Sequence, residues 1–161
     1  MRGIFFVMHI DILKTDATNP HFQNLVRELD YYLAEMDGED HSFYAKYNKL
    51  DDLKNCIILF CDGVAVSCGA YKIFNDETIE IKRMFTKEEY RGKGFAKMVI
   101  LFLEKWSREK GFSSAVLETG KKQESAVKLY QSQGYEITPN YGQYIGIEDS
   151  ICFAKHLKSK S

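Results

Sequence analysis

A glycine-rich loop joins a β-prone run to an amphipathic run in the second half of the chain. Residues 78–86 alternate apolar and polar side chains over most of their length, as a strand does. Arg91-Gly92-Lys93-Gly94 follows, and from Phe95 onward apolar residues recur every three to four positions, as in a helix. Such a junction directs backbone N–H groups and the positive end of the helix dipole toward one point. The pattern therefore predicts a cradle for a diphosphate group.

Two other phosphate-binding loops are excluded by the sequence. A Walker A loop needs GxxxxGK followed by Ser or Thr, and the chain contains no such string. The dinucleotide fingerprint GxGxxG would need a glycine at position 97, where Lys97 stands. A nucleotide-binding domain that uses residues 91–97 remains an alternative without a matching motif.

The rest of the pattern predicts one domain of mixed helices and strands. The first half contains a β-prone run near residues 9–13 and a helix opened by Asn19 and Pro20. Two further β-prone runs flank Asp62-Gly63, a typical hairpin turn. The second half alternates helices and strands, and we expect Glu104 on the wetter side of its helix. These elements predict an α+β (mixed α/β) fold, with a central, mostly antiparallel twisted sheet of about six or seven strands flanked by helices.

Composition indicates a globular domain and excludes several partner classes. The chain has 161 residues, 45% of them hydrophobic and 28% charged, which suffices to bury a core. A net charge of −1 gives no global field to recruit nucleic acid or an anionic membrane. The apolar start is too short for a membrane helix and lacks a signal-peptide cleavage site. We expect residues 1–161 to form one cytoplasmic domain with its core at residues 8–157, residues 1–7 being an extension and Met8 the natural start.

The four cysteines predict core packing rather than chemistry. They form no CxxC pair and show no metal-ligand spacing with the four histidines. Three of them lie in or beside apolar runs, where a free cysteine behaves as a small hydrophobe. We expect no metal site and no catalytic thiol among Cys56, Cys61, Cys68 and Cys152.

Two segments resemble the signatures of the GNAT superfamily of N-acetyltransferases, which use acetyl-CoA. Arg91-x-x-Gly94-x-Ala96 matches the superfamily's Q/R-x-x-G-x-G/A loop. The segment at 126–135, AVKLYQSQGY, resembles A-x-x-L-Y-x-x-x-G-F with Tyr in place of Phe. With their connecting elements the two segments cover residues 55–155 in the expected order. The resemblance implies the GNAT-like acyl-CoA N-acyltransferase fold and an acyltransferase activity.

The resemblance also implies where acetyl-CoA would bind. In the superfamily the pyrophosphate rests on the loop that matches residues 91–96, held mainly by backbone N–H groups. The pantetheine arm pairs with the strand edge that matches residues 84–86, as in strand addition. The N–H of Met84 is suited to polarise the thioester carbonyl, and Gln123 replaces a usual Asn. The predicted cofactor-binding residues are Met84, Phe85, Thr86, Arg91, Gly92, Lys93, Gly94, Phe95, Ala96 and Gln123.

Tyr130 and Glu80 are the predicted catalytic residues. Tyr130 matches a tyrosine that many members place beside the thioester sulfur. A phenol with a pKa near ~10 does not readily protonate a thiolate near ~8.5, so we expect a hydrogen bond to the leaving thiolate instead. Some members use a Glu at the position of Glu80 to take the amine proton, and alternation puts Glu80, Lys82 and Met84 on one strand face. Glu118 is the rival base.

Each of these two residues also has a structural interpretation. Tyr130 could be a packing aromatic on an amphipathic helix. Glu80 could belong with Lys82 to a solvated strand face, or it could form a cross-strand ion pair. Retention of both residues favours an enzyme that transfers acetyl directly in a ternary complex. The alternative is a non-catalytic CoA-sensing or partner-binding module on the same fold.

The resemblance also implies that the acceptor enters opposite acetyl-CoA, beside residues 30–47 and 140–144. Residues 39–54 would form an irregular segment able to fold over the site. Acidic and aromatic residues there could attract a cation and line a pocket, or could be solvated surface and packing: Asp30, Glu35, Asp37, Asp40, His41, Tyr44, Tyr47, Tyr141 and Tyr144. We expect a small primary amine or amino-acid-like acceptor, with a protein or peptide N-terminus as the alternative. Dimers are common in the superfamily, so the resemblance also implies a homodimer.

Overall fold

A computed structural model describes residues 7–37 and 53–158, with the exception of the Asp37 side chain. Seven strands and three α-helices form in this part of the chain. The strands are β1 (Ile10–Thr15), β2 (Asn55–Cys61), β3 (Val64–Ile73), β4 (Thr78–Thr86), β5 (Ser114–Gly120), β6 (Glu136–Thr138) and β7 (Ser150–His156). The helices are α1 (Pro20–Asp37), α2 (Phe95–Glu109) and α3 (Glu124–Ser132).

All seven strands belong to one sheet in the order β1-β2-β3-β4-β5-β7-β6. Neighbouring strands are antiparallel except β4 and β5, which are parallel. The side chains of β2 alternate between two apolar clusters, Ile57 and Leu59 in one and Cys56 and Ile58 in the other. Helix α2 packs in the first cluster and α1 in the second, so the two helices cover opposite faces of the sheet. The prediction of a mostly antiparallel sheet flanked by helices is confirmed.

The local signals read from the sequence form the expected caps and turns. The side-chain oxygen of Asn19 accepts a hydrogen bond from the N–H of His21 at 2.9 Å, and Pro20 occupies the first helical position of α1. Asp62 and Gly63 have φ angles of 50° and 83°, as a two-residue hairpin turn of type I′ requires. These contacts fix the ends of α1 and the register between β2 and β3.

A β-bulge in β4 corrects the predicted alternation of that strand. Cys68 pairs with Phe85 and Ala70 with Lys82, so Gly69 alone faces both Arg83 and Met84. The extra residue reverses the alternation: Met84 packs in the α2 cluster, and Phe85 packs against the α1 cluster. Glu80 and Lys82 therefore share a face, but Met84 does not lie on it.

Gly69 makes this bulge possible because it leaves room for the displaced strand. A Cβ at Gly69 would collide with the sulfur of Met84 and would lie 2.9 Å from a methyl carbon of Val99 in α2. Because glycine has no Cβ, β3 can pass close to the side chains of Met84 and Val99 at this position. Arg83 itself adopts a φ of 60°, a left-handed conformation that is uncommon outside glycine.

Strands β4 and β5 pair over only part of their length. The parallel register joins Thr78–Glu80 to Ser114–Val116 and extends no further within the described residues. The second half of β4 is thus unpaired on its β5 side. This opening in the sheet lies next to the loop that precedes α2 and determines where ligands can enter.

Glu104 is buried, contrary to the prediction that it lies on the wetter side of α2. Only 2% of its surface is exposed. It accepts a hydrogen bond from the hydroxyl of Tyr135 at 2.7 Å, and both of its carboxylate oxygens lie 3.0 Å from Nζ of Lys155. The prediction was wrong because these partners lie far away in the sequence.

Candidate active site

An outer cavity of about 310 Å³ lies between the unpaired end of β4, the start of α2 and helix α3. Among the predicted cofactor-binding residues, Lys93 alone does not line it, and its side chain is exposed. The residues that do line it are Met84, Phe85, Thr86, Arg91, Gly92, Gly94, Phe95, Ala96 and Gln123. Leu29, Tyr32, Tyr90, Lys97, Ser125, Ala126, Leu129 and Tyr130 complete the wall.

The loop before α2 has the backbone shape of an anion cradle. Gly92 and Gly94 have φ angles of 78° and 83°, and a Cβ at either position would meet no atom within 4 Å. Gly94 is the N-cap of α2, and no side chain caps the helix through a hydrogen bond in the described part of the chain. The first N–H groups of α2 are therefore available to a ligand in the cavity.

Arg91 holds this loop against the end of β4. Its Nε donates a hydrogen bond to the carbonyl oxygen of Thr86 at 3.0 Å. Its guanidinium carbon lies 5.0 Å from the ring centre of Tyr32 and 5.8 Å from that of Phe85. Arg91 thus supplies a fixed positive charge at the rim of the outer cavity.

A smaller inner cavity of about 80 Å³ adjoins the outer one. The two cavities share four lining residues: Leu29, Met84, Gln123 and Tyr130. The inner cavity is polar, because Glu80, Lys82, Arg83 and Glu118 all line it, together with Tyr144. The structure thus places both predicted catalytic residues, Tyr130 and Glu80, at one site.

Tyr130 stands between the two cavities and is 6% exposed. Its ring packs edge-on against Tyr135 at 6.0 Å and against Phe153 at 6.1 Å. Burial, with a smaller contribution from the charge of Glu118, raises the pKa of Tyr130. The phenol therefore keeps its proton at neutral pH and can act as a hydrogen-bond donor.

Glu80 is 5% exposed and belongs to a buried polar network. The hydroxyl of Tyr141 donates a hydrogen bond to its Oε2 at 2.6 Å. Nζ of Lys82 lies 3.8 Å from Oε1 of Glu80 and 3.5 Å from the hydroxyl of Tyr144. Burial lowers the pKa of Lys82, against the opposing effect of the Glu80 charge. The alternative of a solvated face is wrong for Glu80; an ion pair with Lys82 is present.

Glu118 reaches the same inner cavity from β5. The hydroxyl of Ser150 donates a hydrogen bond to its Oε2 at 2.5 Å. Two carboxylates on neighbouring strands thus line the inner cavity, and both remain candidates for the base.

Lys82 and Arg83 are site residues that the sequence reasoning missed. Arg83 is 8% exposed, and its Nη1 donates to Oδ1 of Asp30 at 2.6 Å. Asp30, for which cation attraction and solvated surface were the two alternatives, binds this arginine instead. The signal available was the Lys-Arg pair itself, because it interrupts the alternation of apolar and polar residues along this strand.

The other residues proposed for the acceptor side have mixed positions. Tyr141 and Tyr144 lie beside the inner cavity, and burial raises the pKa of both hydroxyls. Glu35 is exposed on α1. Asp40, His41, Tyr44, Tyr47 and the Asp37 side chain lie outside the described residues, as does most of the segment at 39–54.

The cysteines pack in the core as predicted. All four are free and buried, and burial raises the pKa of Cys56 to about 12. Within residues 7–37 and 53–158, no group of three or more His, Cys, Asp and Glu side chains is arranged to bind a metal ion. No helix in these two segments is both long and apolar enough to cross a membrane.

A family model described as the Acetyltransferase (GNAT) family matches residues 14–135 of the chain. An IAA acetyltransferase from Azospirillum brasilense is 30% identical over 128 residues, which cover 74% of this chain and 80% of that protein. N-acetyltransferase 8 from Homo sapiens is 33% identical over 63 residues. That match covers 39% of this chain but only 28% of the human protein.

Solved structures show the same fold. A Klebsiella pneumoniae protein described as an acyl-CoA N-acyltransferase superposes with a TM-score of 0.78 at 23% identity, covering 92% of this chain and 98% of that one. PaiA N-acetyltransferase from Thermoplasma acidophilum, in complex with coenzyme A, superposes with a TM-score of 0.67 at 18% identity. The match covers 92% of this chain and 99% of that one. A GNAT family acetyltransferase from Elizabethkingia anophelis with acetyl-CoA bound superposes with a TM-score of 0.67 at 20% identity. The match covers 92% of this chain and 98% of that one. The predicted acyl-CoA N-acyltransferase fold is confirmed.

Proposed function

Because the chain belongs to the acetyltransferase (GNAT) family, we propose that it transfers the acetyl group of acetyl-CoA to the primary amine of a small molecule. The observation that carries this proposal is the pair of adjoining cavities with Tyr130 in the wall of both. The outer cavity is assigned to acetyl-CoA and the inner one to the acceptor amine. The inner volume of about 80 Å³ favours a small acceptor over a protein or peptide N-terminus.

The outer cavity suits acetyl-CoA in shape and charge. The open space at Gly92 and Gly94 leaves room for the diphosphate to approach the backbone, and Arg91 lies at the same rim. The unpaired half of β4 leads from this loop toward Tyr130, as the pantetheine arm requires. The bulge at Arg83 and Met84 interrupts the β3–β4 ladder, which supports the proposed role of the Met84 N–H toward the thioester oxygen.

Acetyl-CoA supplies the thioester on which the transfer depends. The acceptor nitrogen bonds to the carbonyl carbon, the C–S bond breaks, and the electron pair leaves with sulfur. An ammonium acceptor must lose one proton before it can attack, and it loses a second as the amide forms. One of these protons goes to a carboxylate and then to solvent, and the thiol product carries the equivalent of the other.

Glu80 is our choice for that carboxylate. It lines the inner cavity, and Tyr141 and Lys82 hold it in place. Tyr130 is assigned to the leaving sulfur as a hydrogen-bond donor. Because burial raises its pKa, transfer of the proton itself to a thiolate is even less favourable than in water. Glu118 is the alternative base.

The direct test is release of free CoA thiol from acetyl-CoA by the purified full chain, measured with a thiol reagent across a panel of small amines and a panel of peptides. We expect thiol release and an N-acetylated product with at least one small amine and none with the peptides. Binding of acetyl-CoA without thiol release on any acceptor would instead identify a non-catalytic CoA-binding module. Turnover confined to peptides would contradict the proposed acceptor class.

A further inference from the structure

Arg83 lines the inner cavity, and its side chain carries a hydrogen-bond donor without a partner in the described part of the chain. The side chain is 5% exposed, and its Nη1 donates a hydrogen bond to Oδ1 of Asp30 at 2.6 Å. Nε of Arg83 is buried and has no hydrogen-bond partner among the residues that the structure describes. A buried N–H without a partner is costly, so native structures rarely keep one without a reason.

The backbone is arranged to bring this side chain to the cavity. Strict alternation would place residue 83 with Ile79 and Ile81, in the apolar cluster beneath α2. The bulge redirects Arg83 toward α1 and the inner cavity, at a φ of 60°. A strained conformation that the surrounding pairing enforces is frequent at ligand sites.

Side chains of both charge signs line the inner cavity, and each cation already has one anionic partner: Lys82 pairs with Glu80, and Nη1 of Arg83 pairs with Asp30. Glu80 and Glu118 line it together with Lys82 and Arg83. A simple amine would complement the two carboxylates but would leave Nε of Arg83 unpaired. A carboxylate on the same molecule would accept from that N–H, because the planar guanidinium matches carboxylate geometry.

We propose that the acceptor is an amino carboxylate such as an α-amino acid, with its carboxylate bound by Nε of Arg83 and its amine facing Glu80. This inference rests on the proposed function and narrows its substrate class. Arg83 is then a specificity-determining residue: it binds the part of the acceptor that does not react. The small inner volume favours compact amino acids.

The first test compares matched acceptors with the unmodified protein. The pairs are L-alanine with ethylamine and with L-alaninamide, and L-leucine with isopentylamine. We expect kcat/KM for each amino acid to exceed that of its carboxylate-free partner by at least about 100-fold, since a site built for a polar group rejects analogues that lack it. Equal or faster turnover of the amines would overturn the inference and leave the acetyltransferase function intact.

Two substitutions then test Arg83 itself. Arg83→Gln removes the charge, and Arg83→Lys keeps a charge but has no Nε. We expect both to lower kcat/KM for the amino acid by about 30-fold, mainly through KM, and to change the matched amine by less than about threefold. Arg27→Gln, the same change at an exposed arginine of α1, is the control. An equal loss on both acceptors, or full activity of Arg83→Lys, would overturn the role of Nε.

A failure of the proposed function is distinguishable from a failure of this inference. If no compound releases thiol, the acetyltransferase proposal fails. The Kd of each amino acid and of its matched amine is then measured by calorimetry with the protein saturated with CoA. Tighter binding of the amino acid would support the inference, and equal Kd values would overturn it. The wild-type comparison also decides the matter if the Arg83 variants do not fold.

Discussion

At the scale of single residues, the roles proposed for Tyr130 and Glu80 rest on two different environments. Tyr130 is buried, and its raised pKa makes it a donor that does not lose its proton. Glu80 is equally buried, but it accepts a hydrogen bond from the hydroxyl of Tyr141 and forms an ion pair with the ammonium of Lys82. These environments support the proposal that Tyr130 donates a hydrogen bond to the leaving sulfur and that Glu80 accepts the proton of the amine.

Replacement of Tyr130 by Phe tests the assignment of the donor. Tyr130→Phe keeps the ring that packs on Tyr135 and removes only the hydroxyl. We expect kcat to fall by about 10- to 100-fold while the Kd of acetyl-CoA changes by less than about twofold, because the bond strengthens only as charge develops on sulfur. Steady-state kinetics and calorimetry measure the two quantities. Equal losses in both would make Tyr130 a packing residue; Tyr31→Phe, at a 70% exposed tyrosine, is the control.

Replacement of the two carboxylates by Gln tests the assignment of the base. Glu80→Gln should lower kcat/KM by about 100-fold at pH 7, and Glu118→Gln by less than about fivefold. The deficit of Glu80→Gln should shrink as pH rises toward about 9.5, because solvent then deprotonates more of the acceptor amine. A deficit that is constant with pH would indicate a structural role. The larger, pH-dependent loss in Glu118→Gln would make Glu118 the base.

At the scale of elements, the bulge in β4 and the loop before α2 shape the site from opposite ends. The bulge redirects Arg83, and the short register with β5 leaves the other half of β4 unpaired. The glycines of the loop let a ligand approach the start of α2. The two features are joined by the Arg91 side chain, which bonds the last residue of β4. Both depend on left-handed backbone conformations within a short stretch of chain.

Replacement of Gly94 by Val tests the cradle and has a matched control. Gly94 and Gly63 both have a φ of 83°, and both face open space. Val therefore suffers the same backbone strain at either site, but only Gly94 lines the outer cavity. We expect Gly94→Val to weaken acetyl-CoA binding at least about tenfold and Gly63→Val to leave it unchanged. Unchanged affinity in Gly94→Val would mean that the cradle lies elsewhere.

Glu104 of α2 makes buried contacts with Tyr135, which lies between α3 and β6, and with Lys155 of β7. Lys155→Met would leave the Glu104 carboxylate without its countercharge in the core, at a cost of about 3 kcal/mol in the free energy of unfolding. Glu104→Gln should cost less, about 1–2 kcal/mol, because Lys155 lies closer to water. Urea unfolding followed by circular dichroism measures both. Lys128→Met, a change at an exposed lysine, is the control. A Lys155→Met variant as stable as this control would contradict the prediction.

At the scale of the whole molecule, the features that the sequence predicts are those that depend on residues close together in the chain. Turn residues such as Asp62-Gly63 and caps such as Asn19 act on their own neighbours, so the hairpin and the start of α1 were foreseeable. The outer cavity was foreseeable for another reason, because its loop carries a family signature. Residues assigned by that signature do line one cavity, with Lys93 as the exception.

The inner cavity depends on contacts between segments distant in sequence, which alternation and spacing do not reveal. The bulge is a property of the β3–β4 pairing and of the room left by Gly69, so Arg83 was not recognised as a site residue. The burial of Glu104 likewise depends on Tyr135 and Lys155, 31 and 51 residues away. Polar residues in amphipathic elements are ambiguous until their partners are known.

Calorimetric titration of acetyl-CoA into the purified protein tests the central claim most directly, with free CoA and ATP as comparators. The assignment of the outer cavity predicts micromolar binding of acetyl-CoA and of CoA, and no binding of ATP at the same concentrations. It also predicts that acetyl-CoA binds Gly94→Val at least about tenfold more weakly in the same titration. No binding of acetyl-CoA, or ATP binding as tight as that of acetyl-CoA, would contradict the account.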